Sequence, residues 1–168
     1  MSHPITLAIH GGAGTLTRNM MTTDQEAAYR ATLAASLLAG HTCLAAGGSA
    51  LDAVCAAVQV MEDSPLFNAG RGAVFTHEGH NELDAAVMTG HDGQAGAVAQ
   101  LRGIRNPVLA ARAVMESSNH VMLAGDGASA FARSVGLETA PPEYFYTDAR
   151  WQQLLAEPGR FLALLLGR

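Results

Sequence analysis

Aromatic side chains are scarce in this chain, at 5% of its 168 residues, and charged residues reach only 15%. With so few rings, the core has to be built from small aliphatic groups. That suits closely packed layers of helix and sheet better than an irregular mini-domain. Basic residues are in the minority: ten Lys plus Arg stand against fifteen Asp plus Glu, for a formal net charge of -5. This balance argues against a nucleic-acid partner, which needs a basic patch to neutralise phosphates. Cysteine is limited to Cys43 and Cys55, with no pairing motif. The expectation is two reduced core residues and a cytoplasmic, reducing compartment. No apolar run approaches the roughly 18 residues of a membrane span. The opening "MSHPITLAIHGG" lacks the basic and apolar segments of a signal peptide, so no membrane association is expected.

Hydrophobic residues (49%) and glycine (18 residues) fill the space left. Ile5 to Ile9 reads as a short buried strand stopped by Gly11 and Gly12. The stretch after Thr22 and Thr23 reads as a long helix. Thr23 is the expected N-cap, with Glu26 three residues on, and Gly47–Gly48 is the stop. Ser49 then caps a second helix, with Asp52 at the third position, and the two helices are expected to pair. From Pro65 onward, short apolar runs alternate with Gly, Asn and Asp. Strands are expected near Ala73–Thr76, Leu83–Met88 and Ala95–Leu101, with "TGHDGQ" as a hairpin turn. "NPVLAARAVMESS" reads as a helix with Asn106 as N-cap and Pro107 at its first position. "HVMLAG" reads as a strand, "GDGASAFARSVG" as a helix, and Thr147 as the cap of a last helix. The pattern is α+β in a single domain rather than a regular βαβ alternation, which disfavours a dinucleotide-binding sheet.

Three stretches could carry chemistry. The glycines after Ile9 can form a tight turn, expose amides to an anion, or let another group press on the backbone. His10 beside them could act as a base or as a structural hydrogen-bonder. In "MEDSPLFNAGRGAVF", a helix ends in two acids and an irregular loop follows. Such a loop can be plain, or its carbonyl oxygens can converge on a hard or monovalent cation. "THEGHNELD" offers His77 and His80, with His91 nearby, as a zinc set. The spacing is not that of a helical H-E-x-x-H site, and a solvated turn is the simpler reading. No serine lies in a G-x-S-x-G context, and neither cysteine is in an electropositive motif.

Taken together, "AIHGGAGT", "DSPLFNAGRGAVFT", "ELDAAVMTG", "AGAVAQLRGIRNPVLAARAVME" and "HVMLAGDGASAFA" resemble, in collinear order, the amino-terminal part of plant-type L-asparaginases, also called isoaspartyl peptidases. The resemblance runs from Ile5 to Leu155. It implies half of the αββα four-layer sandwich of the N-terminal nucleophile hydrolases, namely the half formed by the α subunit. In that family a precursor cleaves itself, and a threonine freed at the start of the β chain attacks with its own amine as base. The implied substrates are L-asparagine and β-aspartyl (isoaspartyl) dipeptides.

The resemblance implies supporting roles for residues of this chain. Gly11 and Gly12 match a glycine loop beside the nucleophile, and Asn68 matches an asparagine of the active-site shell. Met61, Glu62, Ser64, Phe67, Ala69 and Arg71 match a loop whose main-chain oxygens bind sodium; no catalytic cofactor is implied. The nucleophile and its "TVGAVA"-type strand have no counterpart here, so the implied partner is an asparaginase-type β chain, assembled as an (αβ)2 heterotetramer. Residues 1–156 are expected to form the α-like half domain. The apolar segment 157–168 departs from the family pattern, as truncation or a frameshift would make it do. The alternative is an inactive subunit that only binds.

Overall fold

A computed structural model describes residues 5–12 and 20–156. The expected apolar segment 157–168 lies outside the described residues. Helix α1 spans Thr23–Ala45 and α2 spans Ala50–Glu62. The cap of α1 is Thr22 rather than Thr23. Its hydroxyl accepts from the Gln25 amide at 3.1 Å, and the Gln25 side chain accepts from the Thr22 amide at 2.9 Å. Glu26 is thereby left to pair with Arg30 one turn on, at 2.8 Å. The Ser49–Asp52 box forms as expected, reciprocally at 3.1 Å. The two helices approach closely because Gly40 faces the Ala53 carbonyl. A Cβ there would lie 2.8 Å from that oxygen. The buried Ser36 hydroxyl donates to the Ala57 carbonyl at 2.7 Å, so this polar group between the helices is satisfied.

The sheet has three strands in the order β1 (Leu83–Met88), β2 (Ala95–Leu101), β3 (Met122–Ala124). β1 and β2 form an antiparallel hairpin, and β3 lies parallel to β2 after a crossover through α3 (Pro107–Ser117). α4 (Gly125–Ser134) follows, then the short α5 (Pro142–Phe145) and α6 (Asp148–Leu155). α6 is capped by Thr147, as expected. The core lies between one sheet face and helices α3 and α4. Leu83, Val87, Val98, Leu101, Val108, Ala111, Val114, Ala128 and Ala132 are buried there. Gly96 lets α3 press onto β2, since a Cβ would lie 2.6 Å from the Met115 amide nitrogen.

The other sheet face is uncovered by the described residues. Register sets Ala86 beside Ala97 and Ala97 beside Met122, with Met88 beside Ala95. Met88 is 68% exposed and Met122 54%. A mixed α/β arrangement with one small sheet, helices on one face, is therefore observed.

Two expected strands do not form. Residues 5–12 run without a ladder partner among the described residues, and a strand exists only when a neighbour completes its hydrogen bonds. Residues 73–76 make a single bridge, Phe75 to Asn81. Side chains replace the ladder there. Asn81 donates to the Ala73 and Val74 carbonyls at 3.0 and 3.3 Å, and Asn68 accepts from the Val74 amide at 2.9 Å.

Candidate active site

The loop after α2 is built by a helix end that defies its dipole. Glu62 and Asp63 put two acids where the helix carries negative charge, which is unfavourable unless both groups find donors elsewhere. Both do. Glu62 is 2% exposed, and one oxygen of its carboxyl accepts from the Val108 amide at 2.9 Å. It thus caps α3 from outside. The other oxygen, Oε2, has no hydrogen-bond partner among the described residues. Burial pushes the Glu62 carboxyl up to about 7, against the opposing effect of the Val108 bond. Asn106 is the N-cap residue of α3, as expected, but its side chain makes no capping bond. Its amide reaches Asp63 at 3.3 Å instead.

Asp63 is a hub. It accepts from Arg105 Nε at 3.0 Å and from the Tyr144 hydroxyl at 2.9 Å. Burial acts to raise its value, but the bonds from Arg105, Tyr144 and Asn106 outweigh it and leave the carboxyl below the usual carboxylate range. Sequence reasoning missed the side-chain role of Glu62 and the whole Asp63–Arg105–Tyr144 group. The available signal was the acid pair at a helix C-terminus.

Beyond Asp63 the chain curls back on itself. Ser64 Oγ accepts from the Leu66 amide at 3.3 Å, and Ala69 leads into a 3-10 turn at Gly70–Gly72. Gly70 has φ +50, and a Cβ there would collide with the Glu62 carbonyl oxygen. A Cβ on Gly72 would collide with the Phe67 carbonyl oxygen and lie 2.8 Å from that of Pro65. Main-chain oxygens of the loop thus lie against Gly70 and Gly72, and only glycine fits at these two points. Met61, Glu62 and Phe67 are buried, while Arg71 is exposed and lies 5.8 Å from the centre of the Tyr144 ring.

The glycine loop meets this one. A Cβ on Gly11 would lie 3.1 Å from Cε1 of Phe67 and 3.2 Å from Cδ2 of Leu33. Gly12 has φ +123, and its amide donates to His10 Nδ1 at 3.3 Å. That bond gives His10 a local hydrogen-bonding role. Gly11, Phe67 and the 61–71 loop thus share one side of the α1–α2 pair, and Asn68 is tied beside them by Val74.

The histidines are not gathered. No three His, Cys, Asp or Glu side chains among the described residues are placed to hold a metal ion. His77 and His80 flank the turn at 76–80, and His91 contacts Asp92 in the β1–β2 hairpin at 3.3 Å. A cavity of about 440 Å³ opens elsewhere, between that turn and α5–α6, walled by Phe75, Phe145, Tyr146 and Trp151. Of the residues singled out from sequence, only His80 lines it. Cys43 and Cys55 are free thiols, and burial raises the Cys55 value.

A glycine loop thus meets an irregular, glycine-dependent loop beside a sheet that the described residues leave open on one face. The chain matches the Asparaginase family over residues 3–160 and belongs to that family, whose members are hydrolases. Among its relatives, the isoaspartyl peptidase of Escherichia coli (strain K12) is 53% identical over 150 residues, covering 89% of this chain and 47% of the relative. The putative isoaspartyl peptidase/L-asparaginase of Dictyostelium discoideum is 46% identical over 155 residues, covering 92% and 45%. The plant-type L-asparaginase of Pyrococcus abyssi is 43% identical over 150 residues, covering 89% and 48%. The chain spans about half the length of the curated relatives it matches. No helix among the described residues is long and apolar enough to cross a membrane.

Proposed function

We propose that this chain is the α-type half of a threonine-dependent amidohydrolase that acts, with a β-type half, on L-asparagine and on β-aspartyl dipeptides. The β half supplies an N-terminal threonine whose hydroxyl attacks the side-chain carbonyl, while its own amine takes the proton. Ammonia or the amine of the second residue leaves, and water then releases aspartate. Gly11 and Gly12 give the nucleophile and the scissile bond close access to backbone, because no Cβ stands in the way. Asn68 holds the adjacent loop in place.

The observation that carries this reading is the junction at Gly11, where the glycine loop and the 61–71 loop meet through Phe67. Segment 5–12, without a ladder partner among the described residues, and the face that presents Ala86, Met88 and Met122 would give a β half both a segment to pair with and a surface to cover. An (αβ)2 assembly follows from the family resemblance. Sodium belongs to the same proposal, held by main-chain oxygens of Met61, Glu62, Ser64, Phe67, Ala69 and Arg71. The fit is supported by the close approach of the Glu62 carbonyl to Gly70 and of the Phe67 carbonyl to Gly72, which leaves room at those two points for glycine alone. Backbone ligation also leaves the side chains of Ser64 and Arg71 without a ligating role. A bound ion supplies fixed positive charge to the loop, and no step of the hydrolysis runs through it.

Co-expression with the β-type half of a relative tests this. The purified complex is expected to release ammonia from L-asparagine and aspartate from a β-aspartyl dipeptide, and a threonine-to-alanine change in the β half should abolish both. A complex that assembles and hydrolyses neither leaves an inactive binding subunit in its place.

A further inference from the structure

Phe67 belongs to both loops at once. Its carbonyl oxygen is one of those crowding Gly72, and its ring, on a residue 6% exposed, packs against Gly11. The ring is held edge-on by Tyr29, with centroids 5.6 Å apart and planes at 90°. The Tyr29 hydroxyl also donates to the Leu66 carbonyl at 2.9 Å, which is the peptide group that leads into Phe67. On the other side, Asn68 is tied to the Val74 amide. A phenylalanine has only two side-chain torsions, and interior packing leaves little slack. The ring and the carbonyl hang from one Cα, so a shift of the loop backbone at Phe67 carries the ring with it, and the ring has Gly11 as its neighbour.

We infer that Phe67 is a positioning residue that couples cation occupancy of the 61–71 loop to the glycine loop. A monovalent cation drawing on the Phe67 carbonyl oxygen fixes that peptide group. The ring, clamped by Tyr29, then fixes Gly11 and with it the Gly12 amide that bonds to His10. This rests on the proposed cation-binding role of the loop. It adds that the cation acts on the catalytic side through one side chain rather than by general stabilisation.

Hydrogen–deuterium exchange read by mass spectrometry tests it on the full chain, and tolerates oligomers. Sodium chloride is compared with choline chloride at equal ionic strength, following peptides that cover 62–72 and 7–12. In the wild type, sodium is expected to slow exchange in both peptides by threefold or more. Phe67→Leu is expected to keep the response at 62–72 and lose it at 7–12. Tyr29→Phe, which keeps the ring against Phe67 and removes only the hydroxyl bond to Leu66, is expected to keep the response at 7–12. An unchanged 7–12 response in Phe67→Leu overturns the coupling while leaving cation binding intact. So does a wild-type response confined to 62–72. No sodium response in either peptide overturns the cation reading, and the coupling with it.

Discussion

Glu62 shows how one residue can tie separate parts of this molecule together. Its carboxyl ends α2, caps α3 through Val108, and leaves one oxygen without a hydrogen-bond partner among the described residues. A buried amide without an acceptor costs about 1–3 kcal/mol, and a truncated side chain adds a cavity. Glu62→Ala is therefore expected to lower stability by about 2–4 kcal/mol in urea melts at neutral pH. Glu62→Gln keeps an acceptor for Val108 and removes the cost of burying charge, so its loss should be under about 1 kcal/mol, or a gain. Equal losses in the two variants would remove the capping role. The acid pair Glu62–Asp63 was visible in the sequence, but its purpose was not. The partners lie 46 residues away at Val108 and 81 away at Tyr144. Local spacing carries no information about contacts of that range.

Among the elements, what was legible was local. The Ser49–Asp52 box, the Thr147 cap, the β1–β2 hairpin and the glycine stop at Gly136 all depend on residues within a few positions of one another. Thr22 and Thr23 are both capable caps. The reciprocal bond from Gln25 decides for Thr22, and Glu26 gains more from Arg30. Ser49 hydrogen bonds, and then Arg112 at 2.7 Å, hold the Asp52 carboxyl down at about 2. Its folded value lies below its unfolded one. The stability it lends is thus present above about pH 4 and is lost as pH falls toward 2. Asp52→Asn is expected to lower the Tm at pH 6 and to converge with the wild type near pH 2. A gap that persists at pH 2 would point to packing instead. Ser49→Ala, which removes the cap hydroxyl, should cost about 1 kcal/mol in the same melts. The expected strand at 73–76 failed because Asn68 and Asn81 satisfy its backbone sideways. Asparagines read as turn formers give no hint of that.

For the molecule as a whole, the unbalanced sheet matters most. One face is packed under α3 and α4, while the other presents Ala86, Met88, Ala97 and Met122 with no layer over it among the described residues. Apolar sheet faces and unpaired strands seek partners. The isolated chain is expected to self-associate in sedimentation velocity runs, and Met88→Glu to shift it toward monomer. A monodisperse wild-type monomer with a cooperative melt would contradict this. Covering the face with a β-type half should suppress the association.

By itself, the sequence determined the family, the helices with their caps, the hairpin, and the two loops that carry the candidate site. These follow from short-range propensity and from collinear motifs in which glycine, asparagine and proline recur at backbone-critical positions. Only the tertiary structure decided that Phe67 joins Gly11 to the 61–71 loop, that the Glu62 side chain rather than that of Asn106 bonds the first turn of α3, and that residues 5–12 find no ladder partner among the described residues. Those outcomes depend on which surfaces meet across tens of residues, and on whether a strand has a neighbour to share its hydrogen bonds. Neither is encoded in local spacing.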